Sequence, residues 1–141
     1  MVKRGGKEAV EVRRPHLSRG ITTGTLLVCA DNSGAKIINM IAVEGYRGRI
    51  RRLPEATVGN IITASVKVGS PEMRRQVVKA IVVRQRMPVK RPDGTRLVFE
   101  DNAAVVLTPD GDPKGTDVHG PVAKEAAERV VKLAGLASMV V

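Results

Sequence analysis

Aromatic side chains are almost missing from this sequence: Tyr46 and Phe99 are its only two, and it has no Trp. Proteins that hold single-stranded nucleic acid stack bases on aromatic rings, so a free-standing single-strand binder of the OB type has little to work with here. Cysteine is scarcer still. Cys29 stands alone, which excludes an internal disulfide framework and leaves no cysteine-based zinc set. Its apolar surroundings read as those of a buried, inert thiol, and the composition fits a reducing, cytosolic location. Long hydrophobic runs are also absent. Leu26–Ala30 and Ala103–Leu107 are strand-length, far short of the roughly 20 residues that cross a bilayer. The basic start, Met1 to Lys7, has no apolar stretch after it such as a signal peptide would need. The expectation is a soluble chain, not exported and without membrane association.

Acidic residues are in short supply as well, 14 against 24 Lys and Arg, for a net charge of +10 in 141 residues. The imbalance is uneven. Residues 1–91 carry 19 basic and 6 acidic groups, whereas residues 92–141 carry 5 and 8. Solubilising surface charge mixes the two signs, yet between Lys67 and Arg91 eight basic residues face one acid, Glu72. That asymmetry points to a polyanionic partner.

What is there reads mainly as β-structure in one small domain. Residues 1–20 are basic and follow neither apolar period, so they form an arm without a core of its own. Ile21–Ala30 and Ala35–Val43 are rich in aliphatic and β-branched residues and flank the turn Asp31-Asn-Ser-Gly34, which predicts a hairpin. The stretch Glu44–Thr57 holds Arg47, Arg49, Arg51 and Arg52 with two Gly and one Pro; this opposes both helix and strand and predicts an exposed loop. Val58-Gly-Asn60 turns into a third strand, Ile61–Val68, and Gly69-Ser-Pro-Glu72 breaks the chain before a further strand, Val77–Met87. Arg91-Pro-Asp-Gly94 is a tight turn, because Pro pre-sets φ and Asp-Gly tolerates the left-handed conformation. It makes a hairpin around 84–96 that carries Arg84, Arg86, Lys90, Arg91 and Arg96. Ala103–Leu107 is the last strand of the barrel region, 21–107. Five or six short strands at this spacing predict a small closed or nearly closed barrel. The remainder, 108–141, is a polar, glycine-rich stretch followed by one amphipathic helix from Pro121 to Gly135. No internal repeat or dividing linker interrupts the chain.

Catalytic chemistry has no residues to stand on. His16 and His119 lie in segments of opposite character and neither has a motif partner. No phosphate-binding glycine loop is present. Asp110, Asp112 and Asp117 lack the other ligand positions of a calcium loop, and an RNA-processing enzyme would need a carboxylate or His constellation that these three only distantly approach. The expectation is no enzyme, no metal and no cofactor. The basic residues fit a different task. Arg outnumbers Lys in the clusters, and a planar guanidinium grips phosphate oxygens with paired hydrogen bonds. The candidate RNA contacts are Lys3, Arg4, Lys7, Arg13, Arg14 and Arg19 in the arm, Arg47, Arg49, Arg51 and Arg52 in the loop, then Lys67, Arg74, Arg75, Arg84, Arg86, Lys90, Arg91 and Arg96. With few rings to stack on, such a protein would recognise RNA backbone shape and 2′-hydroxyls. The more acidic C-terminal part would meet proteins.

Six motifs, in order, carry a family resemblance: Ala30-Asp-Asn-Ser-Gly-Ala35, Val58-Gly-Asn-Ile-Ile62, Val78-Lys-Ala-Ile-Val-Val-Arg84, Arg91-Pro-Asp-Gly94, Phe99-Glu-Asp-Asn-Ala103, and Gly115-Thr116 with Gly120-Pro-Val122. Together they resemble the universal large-subunit ribosomal protein number fourteen, from about Ile21 to the C-terminus. The basic arm and Gly69–Val77 are similar to its archaeal and eukaryotic branch. The resemblance implies a five-stranded β-barrel with a projecting β-ribbon and a C-terminal loop-helix region. It implies direct binding of large-subunit rRNA at the face toward the small subunit, with bridges to small-subunit rRNA, in the cytoplasm. Implied protein partners are the universal third protein of the large subunit, the twenty-fourth of the archaeal/eukaryotic set, and initiation factor six. Carried onto this chain, Arg84, Arg91 and Pro92 to Gly94 belong to the ribbon. Gly115, Thr116, Gly120 and Pro121, with Glu125 and Arg129 of the expected helix, are candidates for the protein and subunit interface.

Overall fold

A computed structural model describes residues 17–141. In chain order its elements are β1 (Ile21–Thr22), β2 (Leu26–Cys29), β3 (Ala35–Val43), β4 (Glu55–Ala56), β5 (Ile61–Gly69), β6 (Val77–Arg84), β7 (Val89–Lys90), β8 (Arg96–Leu97), β9 (Ala103–Leu107), β10 (Val118–Val122), α1 (Lys124–Arg129), α2 (Val131–Leu136) and β11 (Ala137–Val140). Strands β2, β3, β5, β6 and β9 close into a five-stranded barrel. Neighbours are antiparallel except at the seam, where β2 runs parallel to β9 with Val28 opposite Ala103 and Cys29 opposite Ala104. Closure leaves these strands no free edge to template aggregation.

Side-chain alternation fills the interior. Leu27, Ile38, Met40, Ile62, Ala64, Val66, Ala80, Val82, Ala104 and Val106 point inward and form one buried cluster, as in small barrels that pack their own lumen. The outward residues of β6 and β9 are buried too. Ile81, Val83, Ala103, Val105 and Leu107 form a second cluster with Val118, Val122, Ala126, Val130 and Leu133 of the C-terminal region. Burial on both faces is why β9 and the second half of β6, Ala80–Val83, are continuous apolar runs while β3 and β5 alternate. The β2–β3 turn needs Gly34, whose φ is +100° and where a Cβ would lie 2.9 Å from Ser70 Oγ.

The expected hairpins are present, with differences in detail. The ribbon is short, two residues on each strand, with Val89 opposite Leu97 and Lys90 opposite Arg96. Its inward residues Val89, Leu97 and Phe99 join the barrel core. Leu17, within the expected arm, also packs on that core, and residues 1–16 of the arm lie outside the described residues.

The C-terminal region departs further from expectation. Pro121 does not open a helix: it lies in β10, opposite Met139 of β11, in a parallel pair. The helical segment is two six-residue turns split at Val130, whose φ of −119° and ψ of 97° are extended. Each turn has only enough length to bury its own apolar contacts, Ala126 and Ala127 on α1 and Leu133 on α2. Beyond the expected helix, Ala137–Val140 folds back as β11 and pairs with β10.

Candidate nucleic-acid interface

Strand register decides where the basic groups gather. The C-terminal end of β3, the start of β5 and the end of β6 lie at one end of the barrel, since Val43 faces Ile62 and Ile61 faces Ile81. The 44–57 loop and the ribbon therefore emerge from the same end. The 70–76 connection leaves from the other, beside the 31–34 turn.

Arg47, Arg49, Arg51 and Arg52 are all exposed, and none forms an ion pair with a described residue. The loop that carries them is closed internally. Tyr46 donates its hydroxyl to the Leu53 carbonyl at 3.3 Å, and the Arg52 amide donates to the Arg49 carbonyl at 3.1 Å. Arg51 holds a φ of 67°, a left-handed conformation that side chains other than Gly adopt at a cost. At the opposite end Lys67, Arg74 and Arg75 are exposed. That connection is pinned by Met73, buried beneath it, and by the Arg75 amide donating to Val66 O at 3.1 Å. Arg19, Arg86, Lys90 and Arg96 are exposed near the first end, whereas Lys3, Arg4, Lys7, Arg13 and Arg14 lie outside the described residues.

Two of the candidate cations are engaged within the chain. Arg84 is buried at the mouth of the barrel. Its Nη1 donates to His119 O at 2.9 Å and its Nη2 to Asp101 Oδ2 at 3.3 Å. Its Nε sits 3.0 Å from Asp101 Oδ1, at an angle that makes no hydrogen bond. Arg91 is buried as well; Nε and Nη2 donate to the two oxygens of Glu125 at 2.9 and 3.2 Å, and Nη2 also donates to Val141 O at 2.6 Å. These guanidiniums tie the barrel end and the ribbon to the C-terminal region. The exposed loop arginines have no such acid partner among the described residues.

The C-terminal candidates are all drawn toward the barrel. Asn32 Oδ1 accepts from the Thr116 amide at 2.8 Å, and its Nδ2 donates to Thr116 Oγ1 at 2.8 Å. Gly115 lets that contact form, since a Cβ there would stand 2.5 Å from Asn32 Oδ1. Gly120, at φ +77°, lies against the Arg84 guanidinium, and Pro121 O accepts from Arg84 at 3.4 Å. Glu125 is held by Arg91, and Arg129 donates to Gly59 O at 3.2 Å. The outer side of the region is apolar and exposed at Val131, Met139 and Val140.

Sequence reasoning missed Gln85, fully buried. Its side-chain amide donates to Ser18 O at 2.8 Å and to Met87 O at 3.1 Å, and its Oε1 accepts from the Gly20 amide at 3.3 Å, so it fastens the incoming chain to the ribbon. It also missed Asp31, whose Oδ2 accepts from the Val106 amide at 3.1 Å. Burial raises the Asp31 carboxyl above its usual range, while hydrogen bonds from Ser33 and Val106 pull the other way. The loop carboxylates are dispersed: Asp112 pairs with Lys132 at 3.0 Å and Asp117 lies 3.6 Å from His119. Among the described residues no three His, Cys, Asp or Glu side chains gather as metal ligands would, and no helix is long and apolar enough to cross a membrane.

The model of the ribosomal protein L14p/L23e family matches residues 20–141. The chain belongs to this family. Its curated relatives include the large ribosomal subunit protein uL14 of Methanococcus vannielii, 57% identical over 122 residues that cover 86% of this chain and 92% of the relative. The uL14 of Thermoplasma volcanium is 54% identical over 123 residues, covering 87% and 93%. That of Pyrobaculum arsenaticum is 53% identical over 144 residues and covers both chains entirely. All three organisms are archaea, in agreement with the branch expected from the arm and Gly69–Val77. The family match begins at residue 20, where the chain docks on Gln85, while the Pyrobaculum relative extends along the first residues as well.

Proposed function

We propose that this chain is a structural constituent of the large ribosomal subunit that binds large-subunit rRNA directly and carries out no catalysis. The observation that carries the reading is the set of four exposed arginines on the 44–57 loop, unpaired with any described acid and presented on a loop closed by its own hydrogen bonds. Guanidiniums presented on such a loop donate to phosphate oxygens without first leaving an internal acid. Arg19, Arg86, Lys90 and Arg96 extend the same end of the barrel, and Lys67, Arg74 and Arg75 supply a second cationic site at the other. Lys3, Arg4, Lys7, Arg13 and Arg14 add charge along the arm. Arg84 and Arg91 serve the protein instead, by holding the C-terminal region in place.

The division into arm, barrel and C-terminal region is one of function within one folding unit, because the second buried cluster belongs to barrel and C-terminal region alike. The outer side of that region, with Val131, Met139 and Val140, is apolar enough to meet protein partners: the universal third large-subunit protein, the twenty-fourth of the archaeal/eukaryotic set, and initiation factor six. The relatives' names, which are those of large-subunit ribosomal proteins, support placement in the ribosome; the cytoplasm and the face toward small-subunit rRNA are what the family resemblance implies. Ultraviolet crosslinking within purified large subunits tests the RNA contacts. Crosslinks from large-subunit rRNA to peptides containing residues 44–57 support the reading, and crosslinks confined to the C-terminal region would refute it.

A further inference from the structure

Ile50 is the most solvent-exposed large hydrophobic residue of the described chain, 94% accessible, and Leu53 beside it is 63% accessible. A lone surface aliphatic is ordinary; the setting of this one is not. It stands in the middle of the arginine loop, between Arg49 and Arg51, and helps line an open cleft with Thr22, Gly48, Arg52, Leu53 and Glu55. The loop is pre-shaped by Tyr46, whose hydroxyl holds Leu53 O and whose ring covers Gly48, where a Cβ would stand 2.5 Å from Cε1. One of the two aromatic side chains is thus used as a strut, which leaves Ile50 and Leu53 as the apolar surface offered to a ligand among the cations.

We propose that the Ile50–Leu53 face of this cleft receives an unpaired nucleotide of an RNA helix, with the base against the aliphatic side chains and its flanking phosphates on Arg49 and Arg52. The inference rests on the RNA-binding reading above and specifies what this loop recognises. Regular A-form RNA offers poor surfaces to an isoleucine: its major groove is deep and narrow, and its minor groove displays 2′-hydroxyls that lose hydrogen bonds against a methyl group. An unstacked base offers an apolar face, and guanidinium planes can stack on it or bind its phosphates. Three cations line the cleft, Arg49, Arg51 and Arg52, against one acid, Glu55 at its edge, with Arg47 adjoining, and this surplus favours nucleic acid over a protein partner.

The test uses the full chain and two RNA hairpins, one fully paired and one with a single unpaired adenosine replaced by 2-aminopurine. The wild type binds the bulged hairpin about tenfold more tightly, as expected for burying one aliphatic side chain, and changes the probe's fluorescence. Ile50→Ser, a change at an exposed position, removes the preference and the fluorescence change but keeps affinity for the paired hairpin, whereas Arg49→Gln weakens both. Equal wild-type affinities, or a bulge preference that survives Ile50→Ser, would overturn the inference while RNA binding stands. Failure of the wild type to bind either hairpin would remove the RNA reading itself. A photoreactive side chain at position 50 that crosslinks to protein and not to rRNA in assembled subunits would likewise overturn it.

Discussion

Arg91, at the tip of the ribbon, holds Glu125 on the first C-terminal helix through two hydrogen bonds of 2.9 and 3.2 Å across 34 residues of sequence. Both side chains are nearly buried, 9% and 12% accessible. Breaking such a pair from one side leaves the other charge without compensation, whereas replacing both by apolar groups is often tolerated.

Arg91→Ala should therefore destabilise the fold by about 3 kcal/mol, and Arg91→Met with Glu125→Leu should recover most of that loss. The midpoint of urea unfolding checks both. A single variant as stable as the wild type would show that the pair does not hold the ribbon to the C-terminal region.

Gly120 should resist substitution more than Gly111. Both have positive φ, +77° and +91°, but a Cβ at Gly120 would collide with Arg84 Nη1 while one at Gly111 meets nothing within 4 Å. Gly111→Ala bears only the backbone strain, about 1 kcal/mol. Gly120→Ala adds displacement of the Arg84 guanidinium from His119 O and should cost about twice as much. Equal losses in thermal unfolding would mean that Arg84 moves aside freely.

Salt dependence of RNA affinity separates the loop arginines from the cations of the C-terminal region. Removing one cation that neutralises a phosphate lowers the slope of log affinity against log salt by roughly 0.7 to 0.9. Changing Arg47, Arg49, Arg51 and Arg52 together to Gln should lower it by about 3 if each holds one phosphate. Lys132→Gln, in the C-terminal region, should leave it unchanged. A loop variant with the wild-type slope would take these arginines out of the interface.

Cys29 should be an unreactive thiol. Burial, with the Asp31 carboxylate adding to it, pushes its pKa from 9.0 up to about 12, and only the thiolate attacks disulfide reagents. At pH 8 its modification should be at least about tenfold slower than that of free cysteine and become normal in denaturant. The unfolded chain releases this proton near pH 9 and the folded chain only near 12, so stability from this group falls as pH rises across that interval. Rapid stoichiometric modification of the native protein at pH 8 would contradict the burial.

The barrel was legible because its signals are local. Asp31-Asn-Ser-Gly34 and Arg91-Pro-Asp-Gly94 announce turns by residue chemistry, and the aliphatic, β-branched run Ala35–Val43 and the alternating Ile61–Val68 announce strands. The uninterrupted apolar run Ala103–Leu107 was legible as a strand, but its burial on both faces and what covers the second face came only with the structure. Pro121 misled because a proline ahead of apolar residues at helical spacing looks alike at the first turn of a helix and in a short strand. The fates of Arg84 and Arg91 were hidden for another reason. A basic run reads the same whether its members face solvent or buried carboxylates, and their partners Asp101 and Glu125 lie 17 and 34 residues away. Gln85 gave no signal, since its hydrogen bonds go to main-chain groups that any sequence supplies.

Sedimentation of a tagged copy through sucrose gradients of cell extract, at low and at moderate salt, addresses the ribosomal assignment itself. Co-sedimentation with the large subunit that persists at moderate salt is the expected result, because the proposed phosphate contacts and protein interface would together hold the chain in place. A chain that stays at the top of the gradient at both salt concentrations, alone or with small RNAs, would mean that the family fold serves a free-standing RNA binder.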